Sequence, residues 1–208
     1  DLNGKPEWVK KRAVKQGNGL TPEALLNTKR HYAASVAVVD YWVGEMLDIL
    51  EHRGQLDNTV IVFTADHGEQ MGEHDLFEKT VMYEGSLRVP MMIHLPGQKE
   101  AAESSQLATL MDLAPTMMDL ADAAYDPKDL DARSLLPALL GDNKPVHEVQ
   151  ISELNNTIML CDGRYKWIRS YNDSPELYDL QKDPDELHNC IAKHPEVIQR
   201  LQKYTFLH

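Results

Sequence analysis

From Thr59 to Leu95 the chain reads TVIVFTADHGEQMGEHDLFEKTVMYEGSLRVPMMIHL, which sets Asp66 and His67 directly after an apolar run. A hard carboxylate beside a neutral imidazole offers two donors to one divalent cation, and Gly68 lets the backbone bend sharply around it. The same tripeptide also reads as an ordinary capped turn. Lys79 follows thirteen residues after Asp66, in a loop otherwise rich in acid: Glu69, Glu73, Asp75 and Glu78. It is either a solvated surface charge or a cation that returns to the metal and holds an anionic ester oxygen, neutralising charge that grows as the ester bond breaks. His74 reads equally as a donor to that anion and as a surface histidine. Glu84 and Arg88 are four apart with the acid first, the spacing of a helical ion pair.

Groups so placed need a frame, and the flanking sequence supplies one. Thr21-Pro22-Glu23 has the hydroxyl cap, first-turn proline and early carboxylate of a helix start. Tyr32, Val36, Val39, Val43, Met46 and Leu50 then recur at steps of four and three, predicting a long helix with one apolar face, stopped by Gly54. Thr59 to Thr64 does not alternate polar with apolar, as expected of a strand covered on both faces in a parallel sheet. Val89 to Leu95 is a second strand. In such sheets ligands collect beyond the carboxyl ends of the strands, where Asp66 and His67 stand.

Further on, Leu107 to Ala124 reads as helical with a restart at Asp112, and Ser134 to Leu140 as a short helix ended by Gly141. After about Pro145 the texture changes. Val149 to Leu154, Thr157 to Cys161, Tyr165 to Ser170 and Glu176 to Leu180 are short strands separated by turn residues such as Asp162-Gly163, which predicts an antiparallel subdomain, and Pro195 opens a closing helix. The expected division is 1–145 and 146–208.

With 21 basic and 33 acidic residues the formal charge is −12, which excludes a general nucleic-acid role resting on a basic surface. The apolar share of 42% supports a real core. The basic run of Lys5, Lys10, Lys11, Arg12 and Lys15, beside Gly17-Asn18-Gly19, reads as a solvated linker. Cys161 and Cys190 fall in no metal-binding pattern. The chain opens at Asp1 without initiator Met or signal features, and no apolar run is of membrane-spanning length, so the residues are expected to belong to something longer, of unassigned location.

Asp-Asn-Thr-x-x-x-Phe-Thr-x-Asp-His-Gly at 57–68, Gly-Glu-His at 72–74, Lys79, and Tyr-Glu-Gly-Ser-x-Arg-Val-Pro at 83–90 closely resemble the sulfatase family of the alkaline-phosphatase-like superfamily. Asp112-Leu113-Ala114-Pro115-Thr116, Arg133-Ser134-Leu135-Leu136-Pro137, Gly163-Arg164-Tyr165-Lys166 and Glu176-Leu177-Tyr178-Asp179-Leu180 resemble its later landmarks. The resemblance implies an α/β fold: the C-terminal part of a sulfatase domain followed by a small antiparallel β and helix subdomain. It also implies that Asp66 and His67 match two metal ligands, usually for calcium, with magnesium or manganese as alternatives, and that Lys79 is the lysine that contacts sulfate. A formylglycine nucleophile made from Cys or Ser in a C/S-x-P-x-R motif belongs to such enzymes. Here Cys161 is followed by Asp-Gly-Arg and Cys190 by Ile-Ala-Lys, so the motif is expected in a missing N-terminal half. The expected partners are a sulfate ester substrate and that half, with self-association where the half is lacking. The rival readings are a phosphodiesterase or phosphonate monoester hydrolase of the same superfamily, and a noncatalytic fragment.

Overall fold

The structure is a computed structural model that describes residues 2–17 and 20–206; Asn18 and Gly19, beside the basic run, lie outside the described residues, as do Asp1 and the last two. It divides into two compact units, one of Trp8–Glu103 and one of Leu2–Glu7 with Ser104–His208.

In the first unit, α1 (Glu7–Gly17) occupies the stretch expected to be a linker. Val9 and Ala13, four apart, bury one face of it and leave Lys11 and Lys15 exposed on the other, with Lys10 half-buried, as in an amphipathic helix. α2 (Pro22–His52) begins as its signals predict, with Thr21 Oγ1 accepting the Ala24 amide at 3.1 Å. Gly54 follows with φ 63°. The expected apolar stripe is there but is left largely uncovered among the described residues: no residue of α2 is buried, and only Val43 and Leu50 of the stripe are half-buried. Val38, Tyr41 and Trp42 add exposed apolar surface beside Tyr32, Val36, Val39 and Met46. A helix apolar on more than one side is ordinarily enclosed by other elements.

Strand β1 (Ile61–Thr64) leads to two short strands, β2 (Gln70–Met71) and β3 (Phe77–Glu78), then to helix α3 (Glu84–Leu87) and strand β4 (Met91–His94). β1 pairs with β4 in antiparallel register, Ile61 opposite His94 and Thr64 opposite Met91, and β2 pairs with β3. Among the described residues β1 therefore has no parallel neighbour, and the expected parallel sheet is not formed within this chain. A continuous apolar run reports cover on both faces and carries no information about strand direction.

The second unit opens its C-terminal part with a 3-10 turn, Leu110–Asp112, running into α4 (Leu113–Leu120), followed by α5 (Leu136–Leu139). Asp112 is fully buried and accepts from the Thr109 amide at 2.7 Å, the Arg133 amide at 2.9 Å and His147 Nε2 at 2.9 Å. Thr116 Oγ1 accepts the Leu135 amide at 2.8 Å. The polar residues of these landmarks thus staple three segments, a structural duty. Strands β5 (Gln150–Leu154), β6 (Thr157–Cys161), β7 (Tyr165–Ser170) and β8 (Glu176–Asp179) form one antiparallel sheet in sequence order. Asp162 and Gly163 (φ 88°) make the β6–β7 turn, with Asp162 Oδ1 accepting the Arg164 and Tyr165 amides. α6 (Pro195–Leu201) lays Val197 and Leu201 on Leu160, Tyr165, Trp167 and Leu177 to close the core. No helix among the described residues is long and apolar enough to cross a membrane.

Lys5, the first residue of the basic run, is 2% exposed and ties the N-terminal segment of this unit to the sheet. Its ammonium donates to Tyr178 Oη at 2.9 Å and to the Glu186 carbonyl at 2.7 Å, and lies 3.8 Å from Glu176. Lys166 pairs with Glu186 at 2.8 Å alongside. Burial pushes the Lys5 pKa down to about 8, against the pull of Glu176, Glu186 and Asp183. In the unfolded chain the value is about 10.4, so between the two the unfolded state binds the extra proton, and this group's contribution to stability rises with pH. Urea unfolding followed by Trp167 fluorescence should therefore show the wild type gaining about 2–3 kcal/mol relative to Lys5→Met between pH 8 and pH 10. A difference that stays flat across that window would contradict the burial of a charged lysine.

Candidate metal and ester site

β1 ends at Thr64, whose hydroxyl donates to the Pro90 carbonyl at 2.8 Å, and the chain turns immediately into Asp66 and His67. Asp66 Oδ1 accepts the amide of the next residue, His67, at 3.0 Å. The turn leaves Oδ2 outward, with the Asp66 side chain 88% exposed. His67 Nδ1 lies 2.8 Å from the Gly68 carbonyl. A carbonyl can only accept, so Nδ1 carries the proton and the lone pair of the neutral ring sits on Nε2. That Nε2 faces Asp66 Oδ2 at 3.4 Å. Two electron-rich atoms at this separation repel unless positive charge stands with them, either a second ring proton or a shared cation. Donors bound at about 2.0–2.6 Å to one ion stand about 3 Å apart, so the pair fits a divalent metal as two adjacent corners of its shell. No cluster of three or more His, Cys, Asp or Glu suited to a metal occurs among the described residues.

The glycines here answer to space. A Cβ on Gly68 would meet the Gly85 carbonyl oxygen at 2.1 Å, and one on Gly85 would meet Gln70 Nε2 at 2.9 Å. The Gly68 amide donates to the Ser86 carbonyl at 2.8 Å. Gly68 is thus required by the close approach of α3, and the Tyr-Glu-Gly-Ser run is the surface against which the Asp-His-Gly turn is seated. Glu84 and Arg88 form the expected i,i+4 pair at 3.9 Å, with Arg88 largely in solvent.

From the end of β2 to just past β3 the backbone is unusual. His74, Asp75, Glu78 and Thr80 all have φ between 55° and 72°, a region L-residues seldom occupy, and Gly72 precedes them at φ 101°. His74 is 6% exposed and tilted on the Tyr83 ring at 4.5 Å, which removes the surface-histidine alternative. Glu73 is held below the usual carboxylate range: burial opposes its charge, but the Met71 and Glu73 amides and Lys29 outweigh burial. Lys79 has an exposed side chain and engages no acid among the described residues. Its carbonyl is held at 2.6 Å by Arg12 of α1. The structure therefore brings Asp66 and His67 together, buries His74 in the same unit, and leaves the Lys79 ammonium open to solvent. Arg12 and Gln16 were not expected near this loop; the four-residue spacing of Val9 and Ala13 is the signal that would have placed them on a helix.

The family model described as Sulfatase matches residues 2–123, and that described as N-sulphoglucosamine sulphohydrolase, C-terminal, matches residues 72–205. Arylsulfatase K of Gallus gallus is 37% identical over 202 residues, covering 88% of this chain and 37% of the relative. The chain thus spans well under half of that protein's length. Among solved structures, BT4656 in complex with its substrate D-glucosamine-2-N,6-O-disulfate superposes with a TM-score of 0.74 at 29% identity, over 95% of this chain and 44% of that one. The phosphonate monoester hydrolase of Agrobacterium radiobacter gives a TM-score of 0.74 at 27% identity, over 91% and 42%.

Proposed function

This chain belongs to the sulfatase family, and we propose that in the full-length protein it forms the C-terminal part of a sulfuric ester hydrolase and supplies one side of its metal and substrate site. Residues 1–145 would contribute to the catalytic α/β domain and 146–208 form the C-terminal subdomain. The observation that carries the reading is the pair of facing donors, Asp66 Oδ2 and His67 Nε2, 3.4 Å apart in a chain matched by the sulfatase model.

In this reading Asp66 and His67 hold a divalent cation, calcium first, through an anionic oxygen and an imidazole whose tautomer is fixed by the Gly68 carbonyl. When bound, the cation polarises the nonbridging oxygens of the ester. Lys79 steadies the oxygen that gains charge as the ester bond breaks, acting as a fixed ammonium from a shaped loop. His74, buried against Tyr83, would serve as a second donor to the same anion. The nucleophile, a formylglycine, and the remaining cation ligands come from the portion of the protein outside this chain, so the 208 residues alone perform no turnover. The uncovered surface of α2 supports the same division.

A phosphonate monoester hydrolase is the reading next in line, because a cation and a lysine suit phosphoryl oxygens as well and such an enzyme is among the structural neighbours. Purified full-length protein offered an aryl sulfate, a sulfated glucosamine and a phosphonate monoester separates the two. Faster release of sulfate is expected; phosphonate turnover exceeding both sulfates would overturn the assignment. In the same assay Lys79→Ala should lower turnover by about two to three powers of ten, the loss typical of one preorganised charge-stabilising donor. Normal kinetics in that variant would return Lys79 to the surface.

A further inference from the structure

Arg12 and Gln16 stand one turn apart on α1, and both reach the segment that carries Lys79. Gln16 Oε1 accepts the Phe77 amide at 3.1 Å while Gln16 Nε2 donates to the Phe77 carbonyl at 3.1 Å, the two bonds a neighbouring strand would make. Arg12 Nη2 donates to the Lys79 carbonyl at 2.6 Å and to the Phe77 carbonyl at 3.3 Å. Arg12 Nη1 donates to the Thr80 carbonyl at 3.4 Å and to the Thr80 hydroxyl, and Glu78 lies 3.7 Å from the guanidinium. One side chain thus touches every residue from 77 to 80.

The segment has need of such a hold. Lys79 sits between Glu78 at φ 66° and Thr80 at φ 72°. Left-handed backbone is disfavoured for both, and most for a β-branched threonine, so it persists only where its surroundings impose it. A guanidinium offers several donors in a fixed fork and can bind several carbonyls at once, which a lysine at position 12 could not do.

We propose that Arg12 and Gln16 are positioning residues for Lys79: they clamp the 77–80 backbone so that the Lys79 ammonium is presented in one direction. The inference rests on the proposed role of Lys79 and adds to it the groups that make the lysine preorganised. Because the clamp acts through Lys79, its loss and the loss of Lys79 should not multiply.

The test is made in the full-length protein with Arg12→Ala, Arg12→Lys, Gln16→Ala, Lys79→Ala and the Arg12→Ala/Lys79→Ala double variant. Arg12→Ala should lower kcat/KM on an aryl sulfate by about 10–100-fold, the scale on which ångström misplacement acts, and Arg12→Lys should not restore it. The double variant should fall within about twofold of Lys79→Ala alone. Hydrogen exchange gives a reading independent of turnover: the Phe77 amide should exchange at least about tenfold faster in Gln16→Ala, while the Gly68 and Leu87 amides of the same unit keep their rates, showing that its fold survives. If Lys79→Ala lowers activity but Arg12→Ala does not, or the double variant loses the product of the two effects, the positioning inference is overturned while the role of Lys79 stands. If Lys79→Ala is itself without effect, the role of Lys79 falls and the inference with it, even where Phe77 exchange accelerates. Unchanged Phe77 exchange in Gln16→Ala would refute the clamp directly.

Discussion

Asp66→Ala in the full-length protein is expected to remove the bound cation and to lower sulfate-ester turnover by about a thousandfold or more. The magnitude follows from two steps. A Lewis-acid cation contributes several kcal/mol to stabilising the charge that develops, and each ~1.36 kcal/mol is tenfold in rate. Asp66 would bring the only anionic oxygen of the pair, and without it His67 Nε2 is left as a lone neutral donor to a hard ion that prefers oxygen. Since Asp66 is exposed and its side chain bonds the adjacent His67 amide, with no other backbone bond among the described residues, the fold should survive the change. Elemental analysis of the gel-filtered variant, read beside its turnover, checks both halves. A variant that keeps its metal, or its rate, would show that the Asp66–His67 turn is only a turn.

The isolated chain is expected to self-associate unless the remainder of the protein is supplied. α2 carries Tyr41, Trp42, Val38, Val39 and Met46 in solvent, each more than half exposed. Fully burying a side chain of this kind is worth about 1.5–3 kcal/mol, so the combined drive to cover the helix is large compared with the stability of a domain. The β1–β4 pair compounds the problem, because a two-stranded sheet leaves outer backbone groups for other strands to meet. The four-stranded sheet behaves differently: its hairpins close locally, and α6 covers its core. Light scattering should find assemblies larger than one chain, and hydrogen exchange should find β6 and β7 well protected and β1 weakly so. A clean monomer in which Ile61–Thr64 is as protected as Tyr165–Ser170 would mean that the chain is a self-sufficient domain.

How much of this could be read from residues alone varied with how local the signal is. The start and stop of α2 were legible because Thr21, Pro22 and Gly54 act on their own backbone. β6 and β7 fall on the residues expected, because turn chemistry at Asp162-Gly163 fixes where each must begin and end. The direction of β1 was not legible, since its apolar run is equally compatible with either pairing. The neighbouring positions of Asp66 and His67 were evident, whereas the tautomer that turns Nε2 toward Oδ2 depends on a carbonyl position that no sequence pattern encodes. Gly68 was correctly singled out for the wrong reason: bending was expected, and what forbids a side chain is the Gly85 carbonyl seventeen residues away. Lys5 and Arg12 were misread for one common cause. A basic run looks solvated in one dimension, and only the fold distinguishes its members: Lys5 is drawn into a buried network, Arg12 into the Lys79 loop, and Lys11 and Lys15 take the polar face of α1.

The claim on which the account turns is that Asp66 and His67 are two corners of a shell completed elsewhere in the protein. Titration calorimetry with calcium, run in parallel on the 208-residue chain and on the full-length protein, addresses it directly. Calcium takes about six to eight oxygen ligands, so two side chains leave most of the shell to water. The account therefore predicts one tight site per molecule in the full-length protein, abolished by Asp66→Ala, and binding at least about a hundredfold weaker in the chain alone. Submicromolar binding by the chain alone, lost in Asp66→Ala, would contradict it and make the site complete without the rest of the protein.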